Sequence, residues 1–177
     1  MKRIFLIGYM GSGKTTLGRA FSKAEGLEFI DLDWYIEKRF HKTIQQFFAE
    51  RGEEGFREVE RRMLHEVADF EDVVIAAGGG TPCFFDNMDY MNERGVTVLL
   101  DAKPQTLFNR LKVAKMQRPL LANKTDEELM AFIMEGLQKR HSYYAKAQYI
   151  FASDELESQK QILESVQRLK NLINISL

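Results

Sequence analysis

An α/β domain built on a mostly parallel sheet of five strands is what the sequence predicts, and three observations predict it. From residue 3 onward, short β-type runs alternate with amphipathic helical stretches, the pattern of a sheet whose strands are joined by helices. The runs are almost continuously apolar, as strands covered on both faces are, rather than alternating as half-exposed strands do. The first of them, Arg3 to Ile7, leads into Gly8-Tyr9-Met10-Gly11-Ser12-Gly13-Lys14-Thr15, and helical sequence (Thr16 to Phe21) follows at once. That stretch fits G-x-x-x-x-G-K-[ST], a phosphate-binding loop between strand and helix.

In that loop the glycines let the backbone curl, so that the N–H groups from Gly11 through Ser12, Gly13, Lys14, Thr15 and Thr16 converge on phosphate oxygens at a helix N-terminus. Lys14 is placed to reach the β- and γ-phosphates of a nucleotide, and Thr15 to ligate Mg²⁺. Strands are predicted over 3–8, 28–32, 72–77, 96–101 and 148–152. Ligands of such sheets lie beyond the carboxyl ends of the strands, so chemistry is sought there.

The second strand ends in Asp31-Leu32-Asp33, whose carboxylates share a side if the strand keeps its period of two. Beside a Mg-triphosphate, one acid can hold the metal's waters, and the other can accept hydrogen bonds from a substrate hydroxyl and take its proton. The alternative for Asp33 is to cap the helix that begins at Trp34. Thr43 to Gln46 reads as a capping box after a break at His41-Lys42. Gly52 and Gly55 frame a new start, and the helix led by Phe56 carries an apolar stripe of Phe56, Val59, Met63 and Val67. Arg57 sits one place off that stripe, and spacing alone favours a solvated position for it.

The third strand runs into Gly78-Gly79-Gly80, where many proteins with this loop place a metal-holding aspartate. Three glycines let the backbone approach a ligand closely. Pro104 suits the first turn of a helix after the fourth strand. The basic, proline-stopped segment 112–124, with Arg118, reads as a mobile lid whose closure brings Arg118 onto the transferring phosphate. A capping box at Thr125 to Glu128 opens a long helix carrying Arg140, Tyr143 and Tyr144, and 158–174 packs Ile162, Val166, Leu169 and Ile173 into a core.

Composition narrows the function classes. At 177 residues and 45% hydrophobic, the chain predicts one domain spanning 1–177. A net charge of -1 gives no basic footprint, so nucleic acid is not an expected partner. One cysteine, Cys83, forms no disulfide framework and reads as packing, and three scattered histidines form no metal cluster. No run approaches the roughly 20 apolar residues of a membrane span, and the apolar start breaks at Gly8, so no signal peptide is expected. A cytoplasmic monomer is the expectation.

Taken together in order and spacing, the phosphate loop, Asp31-x-Asp33, Phe56-Arg57-x-x-Glu60, Gly78-Gly79-Gly80, Arg118-Pro119-Leu120, and Arg140 with Tyr143-Tyr144 resemble the shikimate kinase family over essentially the full length. The resemblance implies strand order 2-3-1-4-5, and transfer of the ATP γ-phosphoryl, with Mg²⁺, to the 3-hydroxyl of shikimate. It implies that Asp33 binds shikimate hydroxyls, that Arg57 and Arg140 hold its carboxylate, that Gly79 offers a backbone contact, and that Arg118 is the lid arginine on ATP. Glu60 would orient Arg57. Catalysis would fall to Lys14, Asp33, Arg118 and Asp31, with Thr15 on the metal and Asp31 reaching it through water; which aspartate acts as base stays open. The lid between Arg110 and Arg118 lacks glycines associated with the family, and Ala152 to Leu156 lacks an arginine and proline often found beside the base, so contacts to the base are not carried over.

Two rivals are weighed. Another small-acceptor kinase of this fold, gluconate-type or nucleoside monophosphate, shares the loop but does not by itself call for two arginines set for a carboxylate. A GTPase-type switch is raised by Asn123-Lys124-Thr125-Asp126, which spells N-K-x-D, yet the stretch does not end an apolar strand and no D-x-x-G element accompanies it.

Overall fold

Strand β1 (Arg3–Ile7) is the centre of the sheet, and its residues from Ile4 to Ile7 are wholly buried. In the computed structural model, which describes residues 2–114 and 121–173, β1 is joined by β2 (Glu28–Asp31), β3 (Val73–Ala76), β4 (Val96–Asp101) and β5 (Tyr149–Ala152). All pairings are parallel and the order is 2-3-1-4-5, as expected. The apolar runs have their cause in the two-sided burial. Ile4 and Leu6 face one core with Leu17, Phe21, Val98 and Leu169, while Phe5 and Ile7 face the other with Ile36, Val59, Leu64 and Leu107. Each such side chain contributes roughly 1.5–3 kcal/mol by leaving water.

Helix α1 (Lys14–Glu25) leaves directly from the phosphate loop, and with α7 (Gln159–Ile173) it covers one face of the sheet. The other face is covered by α2 (Leu32–Phe40), α3 (Ile44–Val67), α4 (Asn87–Arg94), α5 (Pro104–Ala114) and α6 (Asp126–Tyr144). Both expected capping boxes are formed: Thr43 with Gln46, and Thr125 with Glu128. Because Thr125 caps α6, the Asn123-to-Asp126 stretch lies at a helix start, not a strand end, and the guanine-reading alternative loses its context. Among the described residues no helix is long and apolar enough to cross a membrane.

The expected helix start near Gly55 is replaced by a single helix, α3, kinked at Gly52, where φ is 67° and ψ is -177°. Nothing lies within 4 Å of where a Gly52 Cβ would sit, so a substitution there meets a purely conformational penalty. Gly52→Ala is expected to lower stability by about 1–3 kcal/mol, read as a lower urea midpoint at an unchanged slope. An unmoved midpoint would show that the kink can relax.

Candidate active site

Parallel register gathers the chemistry at one rim. Leu6 pairs with Ala76, and Asp31 pairs with the same Ala76, so the phosphate loop after β1, the acids after β2 and the glycine turn after β3 emerge side by side. They enclose a cavity of about 490 Å³ lined by Gly11, Gly13, Lys14, Thr15, Thr16, Asp31, Asp33 and Gly79 among others. Ser12 is buried within the loop, its hydroxyl without a hydrogen-bond partner among the described residues.

Loop curvature rests on left-handed glycines, with φ of 80° at Gly11 and 96° at Gly13, conformations that a side chain would strain. Lys14 Nζ donates to the carbonyls of Gly8 and Tyr9 at 2.7 and 3.0 Å, which holds the ammonium inside the loop's hollow. Thr15 Oγ1 donates to Asp31 Oδ2 at 2.9 Å. A hydroxyl and a carboxylate at the mouth of a phosphate loop are hard oxygen donors of the kind that Mg²⁺ takes through one or two protein ligands and several waters.

The two aspartates divide their surroundings unequally. Strand β2 stops at Asp31, and Leu32 is already helical, so Asp31 is the N-cap of α2 and accepts from Trp34 N at 3.3 Å. The capping role weighed for Asp33 therefore belongs to Asp31. Asp33, in the first turn of α2, faces the glycine turn, and a Cβ on Gly78 would lie 3.1 Å from its Oδ1. Burial first, and then the charges of Asp31 and Glu60, raise the Asp33 pKa to about 6 against the pull of Lys14 and Arg57. Such a carboxylate is a better proton acceptor than an exposed one.

Arg57 is not solvated; its side chain is 12% exposed. Nη1 donates to Glu60 Oε2 at 2.9 Å and Nη2 to Glu53 Oε1 at 3.2 Å. Glu60 is buried and also accepts from Thr81 Oγ1 at 2.6 Å, so its orientation is set from the turn as well as from the helix. Arg57 Nε is buried with no hydrogen-bond partner among the described residues. A buried donor without an acceptor is costly, and it leaves this guanidinium one hydrogen bond short.

Both arginines lie close against the glycine turn. A Cβ on Gly80 would lie 2.5 Å from Arg57 Nη2, and one on Gly79 would lie 3.2 Å from Arg140 Nη1. Arg140 is stacked over Tyr9 with Cζ 4.9 Å from the ring centroid, and Gly136 leaves room for that ring. Tyr144 donates its hydroxyl to Gly79 O at 2.6 Å, and burial raises its pKa. Cys83 is half-buried nearby with its thiol pKa pushed up by burial, which favours the protonated, unreactive form.

On the opposite side of the cavity, Arg110 is a brace that sequence reading did not place. It donates from Nη1 to Gly11 O at 3.1 Å, from Nη2 to Ser153 O and Asp154 O at 2.9 and 3.0 Å, and from Nε to Glu157 at 2.7 Å. Leu111, Ala114 and Leu156 add an apolar wall there, suited to the flat face of a base. Lys112 turns away to Asp126 at 2.6 Å. Arg118, expected on the lid, lies outside the described residues, as do Pro119 and Leu120. No signal in the sequence pointed to Trp34 and Glu157 as cavity walls, or to Tyr144 as the support of Gly79, because these contacts join positions far apart in the chain.

Comparison with known proteins agrees with this geometry. A family model described as shikimate kinase matches residues 10–170. The chain is 68% identical over 174 residues to a shikimate kinase of Phocaeicola vulgatus, covering 98% of this chain and 99% of that protein. It is 61% identical over 175 residues to one of Bacteroides thetaiotaomicron, covering 99% and 100%. Among solved structures, the shikimate kinase of Bacteroides thetaiotaomicron superposes with a TM-score of 0.96 at 61% identity, over 98% of each chain. That of Acinetobacter baumannii in complex with shikimate does so with a TM-score of 0.83 at 30% identity, over 100% and 96%. A gluconokinase from Sinorhizobium meliloti, with a TM-score of 0.57 at 18% identity, shares the fold alone.

Proposed function

The chain belongs to the shikimate kinase family, and we propose from that premise how its own residues carry the ATP-dependent phosphorylation of the 3-hydroxyl of shikimate. The observation that carries the assignment is the Arg57 guanidinium, held at both terminal nitrogens, with Nε buried and unpartnered. A planar carboxylate is the ligand such a fork matches, and shikimate brings one. Arg140, on the neighbouring glycine of the same turn, supplies the second cation. Asp33 accepts from the acceptor's hydroxyls, and Gly79 meets the ring through its backbone.

The donor's phosphates lie along the N–H groups of Gly11, Ser12, Gly13, Lys14, Thr15 and Thr16, with the base toward Leu111 and Leu156. Lys14 exchanges its two carbonyl partners for β- and γ-phosphate oxygens and neutralises charge that grows on them in a loose transition state. Thr15, and Asp31 through water, are the residues that would hold Mg²⁺, which would offset the charge of the phosphates. Asp33 orients the attacking hydroxyl and receives its proton, a role that its raised pKa favours. The segment 112–124 closes as a lid on the single domain, bringing Arg118 to the phosphates and excluding water. The enzyme works in this reading as a cytoplasmic monomer on small molecules.

The test is ADP release from Mg-ATP by the purified protein without acceptor, then with shikimate, gluconate or nucleoside monophosphates. Stimulation by shikimate alone is expected. Arg57→Ala is expected to raise the shikimate KM by about 100-fold, in keeping with about 1.5–3 kcal/mol for a charged hydrogen bond, while the ATP KM stays put. An unchanged shikimate KM would remove Arg57 from the acceptor site, and stimulation by another acceptor would reassign the substrate.

A further inference from the structure

We propose that Phe84 is a positioning residue for the acceptor, acting through Arg57 by fixing the plane of its guanidinium. The proposal rests on the reading of Arg57 given above. In-plane placement of the fork is set by Glu60 at 2.9 Å, Glu53 at 3.2 Å and the bare backbone of Gly80. Those bonds leave the group free to tilt about the line joining its two terminal nitrogens. A tilt would move Nε, the one nitrogen without a partner of its own among the described residues, and with it the plane that the guanidinium presents to an acceptor.

What opposes the tilt is a ring against the face. Arg57 Cζ lies 4.2 Å from the centroid of Phe84, whereas Phe56 and Phe48 stand off at 5.3 and 6.0 Å. Stacking of a guanidinium on an aromatic face at that separation is attractive and restricts orientation. Phe84 is in turn well held. It follows the 3-10 turn Thr81–Cys83, in which Thr81 Oγ1 donates to Glu60 and Asn87 Nδ2 donates to Thr81 O at 3.0 Å.

One turn further along α3 the arrangement repeats, with Arg61 Cζ 5.0 Å from the Phe85 centroid and Arg61 Nη2 paired with Asp86 at 2.8 Å. Phe85 adopts φ of 51°, rare for a bulky residue, at the bend where two successive rings both reach α3. Phe84-Phe85-Asp86 is thus a two-rung clasp from the glycine turn to the helix that carries Arg57.

The experiment compares wild type, F84L, F84Y, R57A and the F84L/R57A double variant in steady-state kinetics with shikimate and ATP varied. Trp34, the chain's single tryptophan, lines the cavity, so its fluorescence gives the shikimate Kd for variants too slow to assay. F84L is expected to raise the shikimate KM and Kd roughly 3- to 30-fold with kcat and the ATP KM changed by less than about threefold, and F84Y to restore them. In the R57A background F84L is expected to add less than about twofold, because the ring no longer has a guanidinium to hold. A wild-type shikimate Kd in F84L while R57A weakens binding, or a full F84L penalty that persists in R57A, overturns the proposal. If R57A itself leaves shikimate binding intact, the reading of Arg57 fails first and the proposal falls with it. Thermal unfolding establishes that F84L is folded at the assay temperature, and F84M takes its place if it is not.

Discussion

Lys14→Met is expected to lower kcat by about 10³-fold, the upper range for removing one preorganised donor from a developing charge. Methionine keeps the apolar stem and removes the ammonium that sits 2.7 and 3.0 Å from the Gly8 and Tyr9 carbonyls. The loss should fall on kcat, with the shikimate Kd from Trp34 fluorescence changed by less than about threefold, because the charge acts on the transferring group rather than on the acceptor. The loop itself is shaped by Gly11 and Gly13 and by α1, so the variant should unfold at the wild-type temperature. A fall in kcat of less than about tenfold would mean that backbone N–H groups and the lid carry the phosphoryl charge without it.

Asp33→Asn is expected to act in two opposite directions at once. Turnover should drop by about 10²- to 10⁴-fold, the contribution of a positioned proton acceptor. Stability at neutral pH should rise, because the variant no longer holds a buried charge. The Asp33 pKa in the folded protein is about 6 against an ordinary 3.8, so the folded state binds the proton more tightly. Stability from that site is fully present below the ordinary value and is lost as pH rises through about 6. Near neutral pH the charged carboxylate costs about 3 kcal/mol at most. The urea midpoint of the variant should therefore exceed that of wild type at about pH 8, and the gap should narrow as pH falls through about 6 and close only below about 3.8. In wild type, kcat/KM for shikimate should fall below about pH 6 as Asp33 protonates in the free enzyme. A higher wild-type midpoint at alkaline pH would show that Asp33 is not held against its preference.

The sheet was legible because each strand is short, apolar and bounded by turn signals, and all five appear within a residue or so of the expected ends. Asp31 and Asp33 were legible as a pair, but their geometry was not. The period-of-two argument assumed more strand than exists, and the acids meet the cavity because a strand end and a helix first turn happen to present them to the same side. Arg57 shows the limit from the other direction. Helical periodicity sees only one helix, and what buries Arg57 is the glycine turn and Phe84, which are distant in sequence. The role expected for it comes from the resemblance and not from spacing. Helix α4 is not among the expected elements; it is mostly polar, with Asn87, Met88 and Met91 buried and Tyr90 packed partly against the core.

Arg110 ties the Gly11 carbonyl to the carbonyls of Ser153 and Asp154. Apart from the Glu157 carboxylate, which accepts from its Nε, what it grips is main chain, which every residue type possesses. The course of the chain at Ser153 and Asp154 is consequently tied to the phosphate loop through main-chain atoms. Leu156, packed into the core beside Gly13, and Glu157, an acceptor of Arg110, are parts of the frame so formed rather than facings on it.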